Sequence, residues 1–148
     1  MKLIKPSFEI LTQESSSDGL LKHIERCGRI AYKSEDKITE DSAAKFVQML
    51  IGREHGASLE HGNVYLQNNS YHLFERYYGN KYSIVKFKSD TLSDEKYITT
   101  NYRVLIDNNW LDDLQYQCEP TEYHEKRVSV KFTTQIAISR EYNRHRVD

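Results

Sequence analysis

The sequence predicts an α+β fold in which a mixed, mostly antiparallel sheet packs against amphipathic helices, within a single domain over residues 1–148. Two patterns carry this prediction. Apolar residues recur at helical spacing in the first third of the chain, and they alternate with polar residues near its end, as in a strand. With 148 residues, 11 tyrosines and 5 phenylalanines, the chain is long and apolar enough to build one packed core.

The first predicted elements are a short strand and a helix. Within residues 1–12, Phe8 and Ile10 alternate with polar neighbours. Asp18 is a suitable N-cap for a helix that runs to about Tyr32. Four residues at helical spacing would form its buried stripe: Leu20, Ile24, Cys27 and Ala31.

The second helix has the clearest pattern in the chain. Thr39 can cap it, and Glu40 and Asp41 would lie in its first turn, where the helix dipole favours negative charge. The helix should end between Gly52 and Gly56. Its buried face would consist of Ala43, Phe46, Val47, Leu50 and Ile51.

The second half of the chain predicts mainly strands. Aromatic and β-branched residues favour strands over residues 71–107, and Gly79-Asn80 between aromatic runs indicates a hairpin. Asn108 can cap a short helix. Residues 128–134 then alternate like a half-buried strand, and helical spacing returns from Ile136.

Composition and charge exclude several classes of protein. The 21 basic and 22 acidic residues leave a net charge of −1, which excludes a polybasic protein that binds nucleic acid through bulk charge. No apolar run is long enough for a membrane span, and the first residues lack the apolar stretch of a signal peptide. The sequence therefore predicts a cytoplasmic protein with neither nucleic-acid nor membrane partners.

The sequence does not support a zinc site, a catalytic thiol or a common nucleotide-binding motif. Cys27 and Cys118 are too few for a zinc set, and in a chain without export signals they are expected to be reduced thiols. The sequence shows no Cys–His pairing of the kind that activates a nucleophile. G-x-G-x-x-G and P-loop motifs are absent, so neither a Rossmann nor a Walker-type nucleotide site is predicted.

An arginine cluster near the end of the sequence is a candidate anion site. Arg140 and Arg144 lie one helical turn apart and Arg146 follows, so their guanidinium groups can address one anion. The alternative is that these basic residues only complement the dipole at a helix C-terminus, and composition alone favours this alternative.

The segment from His55 to Gly62 is a second candidate. His55, Glu60 and His61 would lie on different faces of a helix, and the glycines argue against a regular helix here. No metal site is therefore predicted. His55 is expected to contact a ligand or a neighbouring chain, with a purely structural histidine as an equal alternative.

Three segments, taken in order, resemble the flavin-dependent thymidylate synthases. Cys27-Gly-Arg-Ile-Ala-Tyr-Lys-Ser34 resembles an early family segment that ends in Tyr-Lys-Ser, and His55-Gly-Ala-Ser-Leu-Glu-His61 resembles the family's His-x-x-x-x-Glu-His stretch. Arg144-His145-Arg146 matches the opening of the family signature and follows the expected strand over residues 128–134. Because all three occur in order over nearly the whole chain, the resemblance is specific.

The resemblance implies the family's α+β fold and a homotetramer whose active sites are shared between subunits. It implies FAD as cofactor, with NADPH and methylenetetrahydrofolate as co-substrates, and the reductive methylation of deoxyuridine monophosphate (dUMP) to dTMP. The implied FAD contacts are His55, Ala57 through its backbone, Arg144, His145 and Arg146, together with Ser34 and Glu60. The implied dUMP contacts are Glu141, Tyr142, Asn143 and Arg144. Arg144 is also the residue expected to be catalytic.

The sequence also departs from the family pattern. The family continues after Arg-His-Arg with a serine and a Glu/Gln-x-Ser-x-Arg-Tyr stretch, whereas this sequence stops at Asp148. Gln135-Ile136-Ala137 stands where close relatives have Asp-Arg-Gly. Arginines in the last turn of such a helix would fray and lose the preorganisation that catalysis needs. We therefore expect an incomplete domain that is weakly active or inactive by itself. The alternative is a non-catalytic homologue that binds nucleotide or flavin, or acts as an assembly module.

Overall fold

A computed structural model of the chain describes residues 5–88 and 95–142, with the side chains of residues 140 and 142 left out. The α-helices over these residues are α1 (Ser17–Tyr32), α2 (Ser42–Gly52), α3 (Tyr71–Tyr78), α4 (Tyr102–Asp107) and α5 (Ile136–Tyr142). The strands are β1 (Ser7–Leu11), β2 (Asn63–Asn68), β3 (Ile84–Phe87), β4 (Lys96–Asn101) and β5 (Ser129–Thr133). Over the same described residues, three 3-10 helices span Glu35–Lys37, Gly56–His61 and Leu111–Tyr116.

These elements confirm the α+β class, but the strands are arranged differently from the prediction. Instead of one mixed sheet, the described strands form a two-stranded sheet of β1 and β5 and a three-stranded sheet in the order β2-β4-β3. Every pairing is antiparallel. Within residues 5–88 and 95–142, no helix combines the length and the apolar character needed to cross a membrane.

The chain divides into two compact units, of which one comprises residues 1–12 and 128–148. In this unit β1 pairs with β5, placing Phe8 opposite Phe132 and Ile10 opposite Val130. The predicted strands and the helix from Ile136 are confirmed. The half-buried face expected for the strand over residues 128–134 is wrong, because Val128, Val130 and Phe132 are 38–63% exposed. A two-stranded ribbon forms one layer and supplies no second layer to cover them.

The other unit, residues 13–127, contains the hydrophobic core. Strand β4 lies in the centre of its sheet and all six of its residues are buried. The predicted stripes of the first two helices are confirmed at most positions, although Ala31 is exposed. Core side chains come from helices and strands alike, among them Leu20, Ile24, Phe46, Leu50, Val64, Tyr77, Ile98 and Leu105.

Gly62 joins the 3-10 helix Gly56–His61 to this core. A Cβ atom at this position would lie 2.6 Å from Ile24 Cδ1, which is closer than real Cβ contacts. The carbonyl oxygen of Gly62 accepts a hydrogen bond of 2.8 Å from the backbone N–H of Tyr102. The glycine therefore lets the chain approach α1 while it is bonded to the start of α4.

The helix starts differ from the predicted caps. The side chain of Ser16, not Asp18, caps α1 by accepting a hydrogen bond from the Gly19 N–H at 3.0 Å. Helix α2 begins at Ser42 rather than at Thr39, so the acidic pair that follows Thr39 precedes the helix. The Ser42 hydroxyl accepts a hydrogen bond from the Thr39 N–H at 2.8 Å, which holds the preceding residues outside the helix.

Residues 71–78 form helix α3, not a strand, and the hairpin predicted at Gly79-Asn80 is wrong. Leu73 and Tyr77, four residues apart, are both buried, which is a helical and not a strand periodicity. The Tyr77 hydroxyl donates a 2.9 Å hydrogen bond to Asp113, a contact 36 residues away that the local sequence does not reveal. Strand β3 pairs with β4 instead of with the aromatic run before it.

Residues 102–107 form helix α4, where the sequence predicts a continued strand. The side chain of Asn101 accepts a hydrogen bond from the Val104 N–H at 3.1 Å and so ends β4 and starts the helix. Asn108, predicted to begin a helix, follows the end of α4 and donates from its side-chain amide to the Val104 carbonyl at 2.8 Å. The next segment, Leu111–Tyr116, is a 3-10 helix.

Lys33 ends α1 in a left-handed backbone conformation (φ 49°) that costs an L-residue with a side chain about 1 kcal/mol. We expect Lys33→Gly to raise the free energy of unfolding by up to about 1 kcal/mol, because glycine adopts this conformation without a steric penalty. The matched control is Arg53→Gly at the end of α2, where φ is −99° and the substitution should lower stability. Urea denaturation measures both, and equal destabilisation by the two changes would contradict the prediction.

Candidate functional site

Four elements of the unit over residues 13–127 meet at the candidate site. Helices α1, α2 and α4 each pack against the 3-10 helix Gly56–His61, and α1 also packs against α2. The arrangement brings together the first two of the three sequence segments singled out above, residues 27–34 and 55–61. The expectation that residues 55–61 do not form a regular helix is confirmed, since they hold His55 followed by a 3-10 helix.

His55 is fixed at the start of this segment by its backbone and its ring. Its backbone N–H donates a hydrogen bond to the Leu50 carbonyl at 2.9 Å. The preceding residue, Glu54, has a left-handed φ of 58°, which turns the chain sharply after α2. The ring atom Nδ1 is hydrogen-bonded to the hydroxyl of Tyr32, and both side chains are exposed. His55 is therefore an oriented, solvent-accessible imidazole.

Glu60 is held by an arginine that the sequence does not indicate. Arg103, from α4, contacts Glu60 through Nη1 at 2.5 Å and Asp107 through Nε at 3.1 Å. A Cβ atom on Gly56 would lie 2.8 Å from Arg103 Nε, so the missing side chain of Gly56 is what makes room for the guanidinium. The hydrogen bond to Glu60 raises the pKa of Arg103 above its usual value, which keeps the group charged.

Ala57 and Ser34, two further predicted FAD contacts, differ in their exposure to solvent. Ala57 is exposed in the first turn of the 3-10 helix Gly56–His61, beside His55 in the sequence. Ser34 is only 9% exposed, and its backbone N–H donates to the Arg29 carbonyl at 3.0 Å. The structure therefore presents His55 and Ala57 to solvent, whereas it largely buries Ser34.

The third segment lies mostly outside the described residues. Asn143, Arg144, His145 and Arg146 are all outside them. Glu141 is exposed on α5, and Tyr142 is the last residue of that helix. These residues belong to the unit of residues 1–12 and 128–148, so the predicted dUMP contacts stay predictions.

Both cysteines lie beside histidines, which the sequence did not indicate. Cys27 Sγ is 3.7 Å from His23 Nε2, and Cys118 Sγ is 3.9 Å from His124 Nε2, while the two cysteines are not joined by a disulfide. Burial raises the pKa of the Cys118 thiol. The thiol next to His124 is therefore kept protonated, which does not favour nucleophilic chemistry.

His124 serves instead as an anchor between β2 and the segment that follows the 3-10 helix Leu111–Tyr116. Its Nδ1 accepts from the Thr121 N–H at 3.1 Å, and its Nε2 lies 3.1 Å from the Leu66 carbonyl oxygen. Together these bonds require a neutral ring that carries its proton on Nε2. Burial lowers the pKa of His124 below its ordinary value of 6.5.

Two clefts lie in the part of the chain that the structure describes, apart from the candidate site. A cleft of about 540 Å³ is lined by Gln67, Asn68, Gln117 and other polar residues, and one of about 310 Å³ lies beside Arg76 and Trp110. Neither is lined by a predicted site residue. Over residues 5–88 and 95–142, no three or more His, Cys, Asp or Glu side chains are grouped as a metal site requires.

No protein-family model matches the chain, and neither a curated protein nor a solved structure matches it.

Replacing Gly56 by alanine should displace the Arg103 guanidinium. Because the atom in the way is the end of a flexible side chain, and the Arg103–Glu60 pair is partly exposed, Gly56→Ala should destabilise the protein by less than about 1 kcal/mol. The loss should shrink in a Glu60→Gln background, where the ion pair is already absent. Chemical denaturation of the four proteins of this double-mutant cycle measures the coupling.

The matched control for this cycle is Gly52→Ala at the end of α2, where a Cβ atom would meet nothing within 4 Å. It should preserve or raise stability, since alanine favours a helix over glycine by about 1 kcal/mol. Additive effects of Gly56→Ala and Glu60→Gln would contradict the proposed link between the glycine and the ion pair.

His124 should make stability depend on pH. Because its pKa is lowered in the folded state, the unfolded chain binds the proton more readily, so stability is complete above pH 6.5 and is lost as the pH falls below that value. We expect the unfolding free energy to fall less between about pH 7.5 and 5.5 in His124→Gln than in the wild type. His72→Gln, at an exposed position on α3, is the control and should leave the pH dependence unchanged.

Proposed function

We propose that this chain is a flavin-dependent thymidylate synthase-like protein that binds FAD at the surface formed by Tyr32, His55 and Ala57. The observation that carries the proposal is the hydrogen bond between the Tyr32 hydroxyl and His55 Nδ1. This bond joins two segments, 23 residues apart at these positions, that each resemble the same family in sequence. The fold, on this proposal, is that of the family.

The groups present at this surface suit an anionic cofactor. His55 is exposed and oriented, and Lys33 and Arg53 are exposed cationic residues next to Tyr32 and near His55 in the sequence. The carboxylate of Glu60 is paired with Arg103, which reduces its repulsion of a phosphate. When bound, FAD would supply the hydride transfer, and the protein would supply binding and orientation.

The remaining parts of the proposal come from the resemblance alone. FAD would be reduced by NADPH, methylenetetrahydrofolate would donate the carbon, and dUMP would be bound by Glu141 to Arg144, with Arg144 as the catalytic residue. The protein would act in the cytoplasm as a homotetramer. Exposure of Glu141 is compatible with a substrate contact.

Titration of the purified chain with FAD, followed by flavin absorbance and fluorescence, tests the proposal. We expect saturable binding, and we expect His55→Ala to weaken it by roughly tenfold, the effect of losing one hydrogen bond to a charged ligand. The control is His72→Ala, the same change at an exposed histidine on α3, which should bind FAD like the wild type.

The absence of FAD binding to the wild-type chain would overturn the proposal, and equal binding by His55→Ala would overturn the placement of the site. A second assay follows NADPH oxidation with dUMP and methylenetetrahydrofolate present. Binding of FAD without any turnover in that assay would favour the alternative of a non-catalytic flavin-binding homologue.

A further inference from the structure

Tyr32 is held rigidly at the end of α1. It is the last residue of the helix, and Lys33 ends the helix directly after it by donating its N–H to the Ile30 carbonyl at 3.2 Å. The Tyr32 ring meets the buried Phe46 ring edge-on, with centroids 6.0 Å apart and an interplanar angle of 85°. This T-shaped packing is a favoured aromatic geometry, so contact with Phe46 orients the Tyr32 ring and its hydroxyl.

The ring of His55 meets Tyr32 through polar atoms and not by stacking. The Tyr32 and His55 ring centroids lie 6.1 Å apart at an angle of 31°, so the two rings are not stacked and their contact is made through the hydroxyl and Nδ1. Phe46 itself is covered on one side by the Arg29 guanidinium, 4.3 Å from its ring centroid. The Tyr32–His55 pair is therefore supported by the packed side chains of Phe46 and Arg29.

The hydrogen bond has a consequence for the location of the imidazole proton. A phenol is a good donor, and a neutral imidazole has one nitrogen that accepts and one that donates. When the Tyr32 hydroxyl donates to Nδ1, the ring proton must reside on Nε2. Among the described residues, the ring of His55 has no hydrogen-bond partner other than Tyr32, so its Nε2–H is available to a ligand.

We propose that Tyr32 is a positioning residue for the site: its hydroxyl holds His55 in the tautomer whose Nε2–H donates to an acceptor oxygen of the bound flavin nucleotide. The ligand role rests on the proposed function, whereas the tautomer does not. Tyr32 acts through His55 and contacts no reacting atom. An acceptor oxygen is the matching chemistry because a neutral Nε2–H can only donate.

The first experiment measures the tautomer without any ligand. Nitrogen-15 NMR of the imidazole rings at about pH 8, with the His55 signals assigned from their absence in His55→Ala, reports which nitrogen carries the proton. We expect nearly pure Nε2–H in the wild type and a mixture of tautomers in Tyr32→Phe. The control is Tyr71→Phe, at an exposed tyrosine on α3, which should leave His55 unchanged. An unchanged His55 in Tyr32→Phe overturns the proposal.

The second experiment measures FAD affinity in the same proteins. Tyr32→Phe keeps the ring that packs on Phe46 and removes only the hydroxyl, so a role in packing alone predicts wild-type affinity. We expect a loss of roughly threefold to tenfold. Wild-type affinity in Tyr32→Phe overturns the ligand role of Tyr32, and failure of the wild type to bind FAD overturns the proposed function. The tautomer measurement needs no flavin, so it tests the Tyr32–His55 part of the proposal whether or not the chain binds FAD.

Discussion

The buried carboxylate of Glu25 fixes how the first two helices cross. It is 1% exposed and accepts hydrogen bonds from Arg29 at 3.0 and 3.1 Å and from the Ser42 hydroxyl at 2.8 Å. A buried charge that loses its partners costs several kcal/mol, so a shift of one helix along the other is strongly opposed. Because α1 ends at Tyr32 and α2 ends just before His55, this carboxylate also sets the distance between the two side chains of the candidate site.

Local sequence patterns predicted the elements whose apolar residues recur with a regular period along the chain. Helices α1 and α2 each have four or more apolar residues on one face, and β5 alternates over its whole length. Helix α3 was not predicted, because only Leu73 and Tyr77 are buried on it and its aromatic residues suit a strand equally well. Helix α4 was not predicted because a single capping residue, Asn101, ends the strand within a stretch rich in β-branched and aromatic residues, 97–106.

The candidate site was predictable only in its local parts. His55 and Glu60 drew attention because they stand together in one short segment, and the family resemblance added Ala57 to them. Their partners were not, since Tyr32 lies 23 residues before His55 and Arg103 lies 43 residues after Glu60. The position of Arg103 beside Glu60 could not be predicted from the sequence. Gly56, which makes room for Arg103, has an ordinary negative φ, and no local turn accounts for a glycine there.

Gly62 links this surface to the interior in a way that limits how the protein can change over evolutionary time. Any side chain there would collide with Ile24 and push the 3-10 helix away from α1, and with it the loop that carries His55. A buried position thereby constrains the geometry of the candidate site. Substitutions should accordingly accumulate at exposed positions such as Ala57, while Gly62 and Ile24 change only together.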